Sequence, residues 1–208
     1  MPESSGVVVT ISRQYGAAGL DVAHRVGELL GYPVVGDELP QVAALRLGMT
    51  HEEVVAIEHR TPSLGERILQ NLGSTVPEAQ AVLAEPNFEK RVRAEIEAAV
   101  LEAAEKPDVV IIGGIGNAIL HGRENVVSAF LHAPLAFRIE RIKSSLGVSS
   151  EGARKEIERV DAARKRWAKV HYDFVWGSSD RYTLTIDVSR FGVEGSARLI
   201  AHAVGEVR

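Results

Sequence analysis

Hydrophobic positions along the chain follow two periods that alternate. Continuous apolar runs, Val7–Ile11, Val109–Ile112 and Val126–His132, predict short strands buried on both faces. Tyr32–Val35 and Tyr182–Val188 predict two more. Between them the spacing lengthens to that of a helix. Gly19–Leu30 places Val22, Val26, Leu29 and Leu30 on one face and ends at Gly31, a helix-capping residue. Further helices are expected over Phe88–Glu105, Leu135–Leu146, from Ser149 or Ser150 to about Tyr172, and over Val193–Val207. From Pro40 to Glu105 the pattern is helical throughout, broken near Pro62, Gly73, Pro77 and Pro86.

Short apolar strands alternating with helices predict an α/β fold, with a mainly parallel sheet covered by helices on both faces. The expected organisation is a single domain over 1–208. Its core is 6–39 with 106–208, its helical insertion about 40–105, and a basic helical segment lies over about 149–177. In such sheets ligands sit beyond the carboxyl ends of the strands. The loops 12–19, 113–117 and 132–134 fall there.

Composition narrows the function classes. A net charge of −4 argues against nucleic acid as the main partner, because phosphate backbones call for clustered Lys and Arg. The absence of cysteine removes disulfides, thiolate metal sites and a thiol nucleophile. No apolar run approaches the roughly 20 residues that span a bilayer. MPESSG lacks the basic and apolar segments of a secretion signal. A cytoplasmic protein without a membrane partner is expected. The seven histidines show no ligand spacing, so no protein-bound metal is assigned, and no G-x-S-x-G elbow surrounds Ser12 or Ser189.

Four stretches carry candidate chemistry. SRQYGAAGLDVA follows the first strand and opens a helix, the layout of a phosphate-binding loop. Gly16 and Gly19 permit a tight turn, Ala17 and Ala18 keep it small, and Arg13 supplies charge. The lysine and the hydroxyl of the standard pattern are missing. A βα turn with glycines for steric reasons reads equally well from the loop alone. In the helix after Ser150, Lys155, Arg159 and Arg166 share a stripe, Arg164 adds a cation, and Asp161 is placed to hold an arginine. A phosphate clamp and a solvated charged helix both fit this pattern. Arg138 and Arg141 lie three apart on a helix that starts at a strand's carboxyl end. Asp37 follows the second strand, as a substrate-orienting carboxylate or as a helix cap.

Taken in order, VTISRQYGAAGLDVA, LGYPVVGDELPQVAA, VVIIGGIGNAIL, FLHAPLAFRIERI, VDAARKRWAKVHYDFVW and YTLTIDVSRFGVEGSARLI resemble the cytidylate kinase-like proteins. These are relatives of bacterial cytidylate kinase among the P-loop nucleoside monophosphate kinases. The resemblance spans nearly the whole chain and implies a three-layer P-loop kinase fold with a helical acceptor and lid region. In the family's loop, S-R-x-Y-G-S-G-G-R-E-I-A, Arg13, Tyr15, Gly16 and Gly19 match. Ala18 replaces a glycine and Leu20 an arginine. Against cytidylate kinase itself, Gly19 stands at the lysine and Asp21 at the hydroxyl residue. Gly114 stands at an arginine of V-I-x-G-R-G-A-N, and Glu38 at that of Asp-Arg-Glu-Leu.

The resemblance implies transfer of the γ-phosphoryl of ATP to a nucleoside monophosphate, with CMP or dCMP as acceptor and Mg²⁺ carried by the nucleotide. Arg138, Arg159 and Arg164 would neutralise the transferring group, supported by Asp161. Arg13, Tyr15, Gly16, Ala17, Ala18, Gly19 and Arg166 would hold phosphates, while Asp37 and Arg141 would meet the acceptor. The lost cations leave open a non-catalytic nucleotide-binding or protein-interaction module, and a kinase of another small molecule. The segment 40–85 suits an acceptor lobe or a homodimer contact.

Overall fold

The computed structural model describes residues 6–36, 88–106, 108–113 and 115–207, with the side chains of 88 and 89 excepted. Asp37, Gly114 and the segment 40–85 lie outside the described residues. The chain divides into two compact units, residues 1–37 with 100–208, and residues 38–99.

In the larger unit β1 (Val8–Arg13) leads into α1 (Gly19–Leu30) and β2 (Val34–Val35). Helix α2 (Phe88–Glu105), which belongs to the smaller unit up to Ala99, then precedes β3 (Val109–Ile112), α3 (Gly116–Leu120) and β4 (Val126–His132). Helices α4 (Leu135–Leu146) and α5 (Ser150–Tyr172) follow. A 3₁₀ turn at Ser179–Arg181, β5 (Leu184–Asp187) and α6 (Val188–Val207) complete the order.

The strands form one sheet in the order β2-β3-β1-β4-β5, and every pairing is parallel. Central β1 runs two residues beyond its apolar stretch because Ser12 and Arg13 continue the register opposite Phe130 and Leu131. Side-chain alternation sorts the core. Val7, Val9, Ile11, Val110, Ile112, Val127, Ala129 and Leu131 pack with Val22 and Val26 of α1 and Ile200 and Val204 of α6. On the other face Phe130 meets Ala168, Phe174, Trp176 and Tyr182. Helices α4 and α5 join through Ile139, Ile142, Ala153 and Ile157, with Tyr15 and Leu135 against them.

The expected helices at 19–30, 88–105, 135–146 and 150–172 form as read, the last capped by Ser149, whose Oγ accepts from Gly152 N–H at 3.1 Å. Helix α3 was not anticipated: five residues are too few to show a period. The expected strands at 32–35 and 182–188 shrink to Val34–Val35 and Leu184–Asp187. Helix α6 starts earlier than expected but kinks at Gly192 (φ 63°, ψ −176°), the residue before the predicted start. Among the described residues no helix is long and apolar enough to cross a membrane.

Candidate functional site

The loop 14–18 leaves the carboxyl end of the central strand and turns into α1. Its hydrogen bonds explain its shape. Gln14 N–H donates to Leu131 O at 2.9 Å, extending the sheet by one rung, and Gln14 Oε1 accepts from Ala133 N–H at 3.2 Å. Ala17 N–H closes the turn on Gln14 O at 3.2 Å, and Val22 N–H starts the helical ladder on Ala18 O at 3.1 Å. Gly19, Leu20 and Asp21 are therefore the first residues of a helix, where backbone N–H groups have no intrahelical acceptor and the dipole favours an anion.

Two glycines are required for different reasons. Gly16 has φ 82°, and a Cβ there would lie 3.0 Å from Arg138 O and 3.2 Å from Ile142 Cγ1, so the loop rests directly on α4. At Gly19 a Cβ would meet Arg13 Cγ at 2.5 Å. The stem of Arg13 crosses the start of the helix and leaves no room for a side chain.

Beneath the loop lies a buried ion pair. Arg138 Nη1 donates to Asp161 Oδ2 at 2.7 Å and to Tyr15 O at 3.3 Å, while its Nε donates to Ala133 O at 3.1 Å. The other Asp161 oxygen accepts from Tyr15 N–H at 2.8 Å. Both residues are over 90% buried, Arg138 at 8% and Asp161 at 9% exposure. One carboxylate thus ties together α4, α5 and the loop. The arginine that Asp161 holds is Arg138. Three internal acceptors engage the guanidinium of Arg138, the residue that the resemblance assigns to the transferring group.

Above the loop opens a cavity of about 340 Å³. Arg13, Tyr15, Gly16, Ala18 and Gly19 line it from the loop, Leu20 and Asp21 from α1, Arg141, Ile142 and Ser145 from α4, and Arg164 from α5. Arg164 Nη1 donates to Arg13 O at 3.0 Å, and its guanidinium stacks 5.8 Å from the Tyr15 ring centroid. Arg141 Nη2 donates to Asp21 Oδ2 at 2.6 Å across the cavity. Arg138, Arg141, Ile142 and Ser145 fall at i, i+3, i+4 and i+7, so one stripe of α4 faces the loop. Arg141, which the resemblance assigns to the acceptor, thus lies beside the loop.

Ala17 is fully buried within the loop. Arg159 and Arg166 are not among the residues lining the cavity. Arg159 makes a two-pronged pair with Glu156 on its own helix, at 2.9 and 2.6 Å, which holds its guanidinium above the ordinary arginine value. The structure therefore gathers Arg13, Tyr15, Gly16, Ala18, Gly19, Arg141 and Arg164 at one cavity, sets Arg138 and Asp161 under it, and leaves Arg159 and Arg166 outside. Gln14 and Ser145 join the site through tertiary contacts that carry no signal in the sequence. Asp21 has a legible sequence signal of its own, an acid in a first helical turn.

A model of the cytidylate kinase-like family matches residues 8–190. A cytidylate kinase of Methanopyrus kandleri is 25% identical over 203 residues, covering 97% of this chain and 94% of the relative. One from Methanocaldococcus jannaschii is 28% identical over 122 residues, 57% of this chain and 68% of the relative. Among solved structures, an uncharacterized protein from Eubacterium ventriosum superposes with a TM-score of 0.69 at 18% identity, covering 96% of this chain and 98% of that one. A shikimate kinase from Acinetobacter baumannii, in complex with shikimate, does so with 0.52 at 14%, covering 98% and 95%. At such identities the two structures speak for the fold, the three-layer kinase fold that the sequence predicts.

Proposed function

This chain belongs to the cytidylate kinase-like family, and on that premise we propose that it transfers the γ-phosphoryl of ATP to a nucleoside monophosphate, with CMP or dCMP as the acceptor. The observation that carries the reading is the cavity over the loop. A helix N-terminus and a glycine turn open into it, and Arg13, Arg141 and Arg164 line it. That is a cradle for a polyphosphate. Full-length similarity to an archaeal cytidylate kinase supports the nucleotide class.

In this reading the N–H groups at the start of α1 bind donor phosphates. Arg164, fixed by Arg13 O and the Tyr15 ring, presents charge to the transferring group. Arg138 and Asp161 position the loop from below. Segment 149–177 acts as the lid carrying Arg159 and Arg166, segment 40–85 as the acceptor lobe, and Asp37 orients the acceptor. Catalysis of this kind is positioning and electrostatics and needs no covalent residue.

Mg²⁺ bound with ATP would neutralise charge on the β- and γ-phosphates. Among the described residues no three His, Cys, Asp or Glu side chains gather as a metal cage. The donor set fits an ion held mainly by phosphate and water, with Asp21 as the cavity's carboxylate.

One observation favours a second reading, a binding module without turnover. Leu20, 41% exposed at the cavity rim, stands where the family's loop has arginine. The test is ATP-dependent phosphorylation across a panel of nucleoside monophosphates with Mg²⁺, with thermal shifts for each nucleotide. Turnover on CMP or dCMP is the expected result. Stabilisation by nucleotide without turnover on any acceptor supports the binding module instead.

A further inference from the structure

We propose that Asp21 is a built-in stand-in for phosphate: it holds Arg141 across the cavity until a polyphosphate arrives, and binding exchanges carboxylate for phosphate on that guanidinium. The inference rests on the nucleotide-binding reading of the loop and adds a step to it.

The cations around the loop differ in how firmly they are held. Arg138 is buried against a carboxylate and two main-chain carbonyls. Arg164 is bound to a main-chain carbonyl and stacked on a ring. Neither arrangement releases its arginine cheaply. The Arg141–Asp21 pair has one hydrogen bond, and its side chains are 44% and 51% exposed. An exposed pair of this kind is worth a factor of roughly 1.4 to 5 in an equilibrium. Phosphate offers a guanidinium two parallel charge-assisted bonds and more charge. The exchange therefore runs toward phosphate.

The location of Asp21 gives the pair its meaning. It sits in the first turn of α1, where the helix end favours a negative group, and it lines the same cavity as the loop. The carboxylate thus occupies the electrostatic role that a phosphate would take. Once Arg141 has moved, Asp21 is left beside an anion. That penalises a bare polyphosphate and leaves a carboxylate facing any cation the polyphosphate brings. The pair accordingly makes Asp21 a specificity residue for metal-loaded phosphates, acting through the position of Arg141.

A double-mutant cycle tests this, with inorganic tripolyphosphate as probe and titration calorimetry as readout, first in EDTA and then with Mg²⁺. Asp21→Asn should tighten binding in EDTA in the presence of Arg141. In the Arg141→Met background the gain should be smaller by about two- to fivefold, the coupling expected of an exposed pair. Mg²⁺ should strengthen binding more in the wild type than in Asp21→Asn. Equal gains in both backgrounds overturn the exchange, because Asp21 then acts only as a nearby charge. So does a wild type that does not bind tripolyphosphate. If the coupling is present but no nucleoside monophosphate is phosphorylated, the exchange stands and the kinase reading falls. If CMP is phosphorylated but the gains are equal, the kinase reading stands and the exchange falls.

Discussion

At Ala18 the loop holds an alanine at φ 55°, ψ 30°, a left-handed conformation that costs a residue with a Cβ roughly 1–2 kcal/mol. The family's loop has glycine there. Ala18→Gly relieves the strain and returns part of it as unfolded-chain entropy, about 0.4–1 kcal/mol. Urea denaturation should show a net gain of up to about 1 kcal/mol. A loss of that size would mean that Ala18 is not left-handed in solution. Leu20 is exposed at the cavity rim, so Leu20→Arg should change stability by no more than about 0.5 kcal/mol and tighten ATP binding. Unchanged affinity would show that the new guanidinium points away from the phosphates. The need for small residues at Gly16 and Gly19 was legible in the sequence. The reason at Gly19 was not: the stem of Arg13, six residues earlier, occupies the space.

Between elements, the decisive contact is Arg138–Asp161. Breaking one side of a buried pair leaves an uncompensated charge, which costs about 3–5 kcal/mol. Arg138→Met should therefore destabilise by that order in urea, and Arg138→Met with Asp161→Leu should recover part of the loss. Full additivity of the two changes would mean the residues do not act as a pair. Tyr182 offers a test from the other side of the sheet. Burial pushes its phenol above the ordinary tyrosine value, with polar groups at Ser12, Gly177 and Asn117 partly offsetting the effect. Its contribution is fully present below the unfolded value of 10.0 and is lost as pH rises through the folded one. Melting temperature should fall in that alkaline range, and Tyr182→Phe should flatten the fall. An identical alkaline limb in both proteins would rule this out. Helical spacing put Arg138 and Arg141 on one face of α4. It did not reveal that Arg138 turns down to α5 and Arg141 across to α1, because both partners lie far away in the chain.

Across the whole molecule, the proposed reaction requires the lid arginines to act together with the loop. Arg159 pairs with half-buried Glu156 on its own helix, so Arg159→Ala should leave stability within about 0.5 kcal/mol. If it serves the transferring group, phosphoryl transfer should fall by about 10³ or more, by analogy with arginine fingers. Wild-type turnover in this variant would remove Arg159 from the reaction and leave it to Arg164 and Arg166. What the sequence by itself determined was the architecture: strand and helix periods are local, and parallel strands with helical crossovers have few ways to pack. It also determined the family and the position of the glycine turn after the first strand, since both are carried by contiguous residues. Only the tertiary structure decided which arginines face the cavity. A guanidinium is long and finds its carboxylate across elements, so Arg138 became a buried brace, Arg141 a partner of Asp21, and Arg164 a cation fixed over the loop.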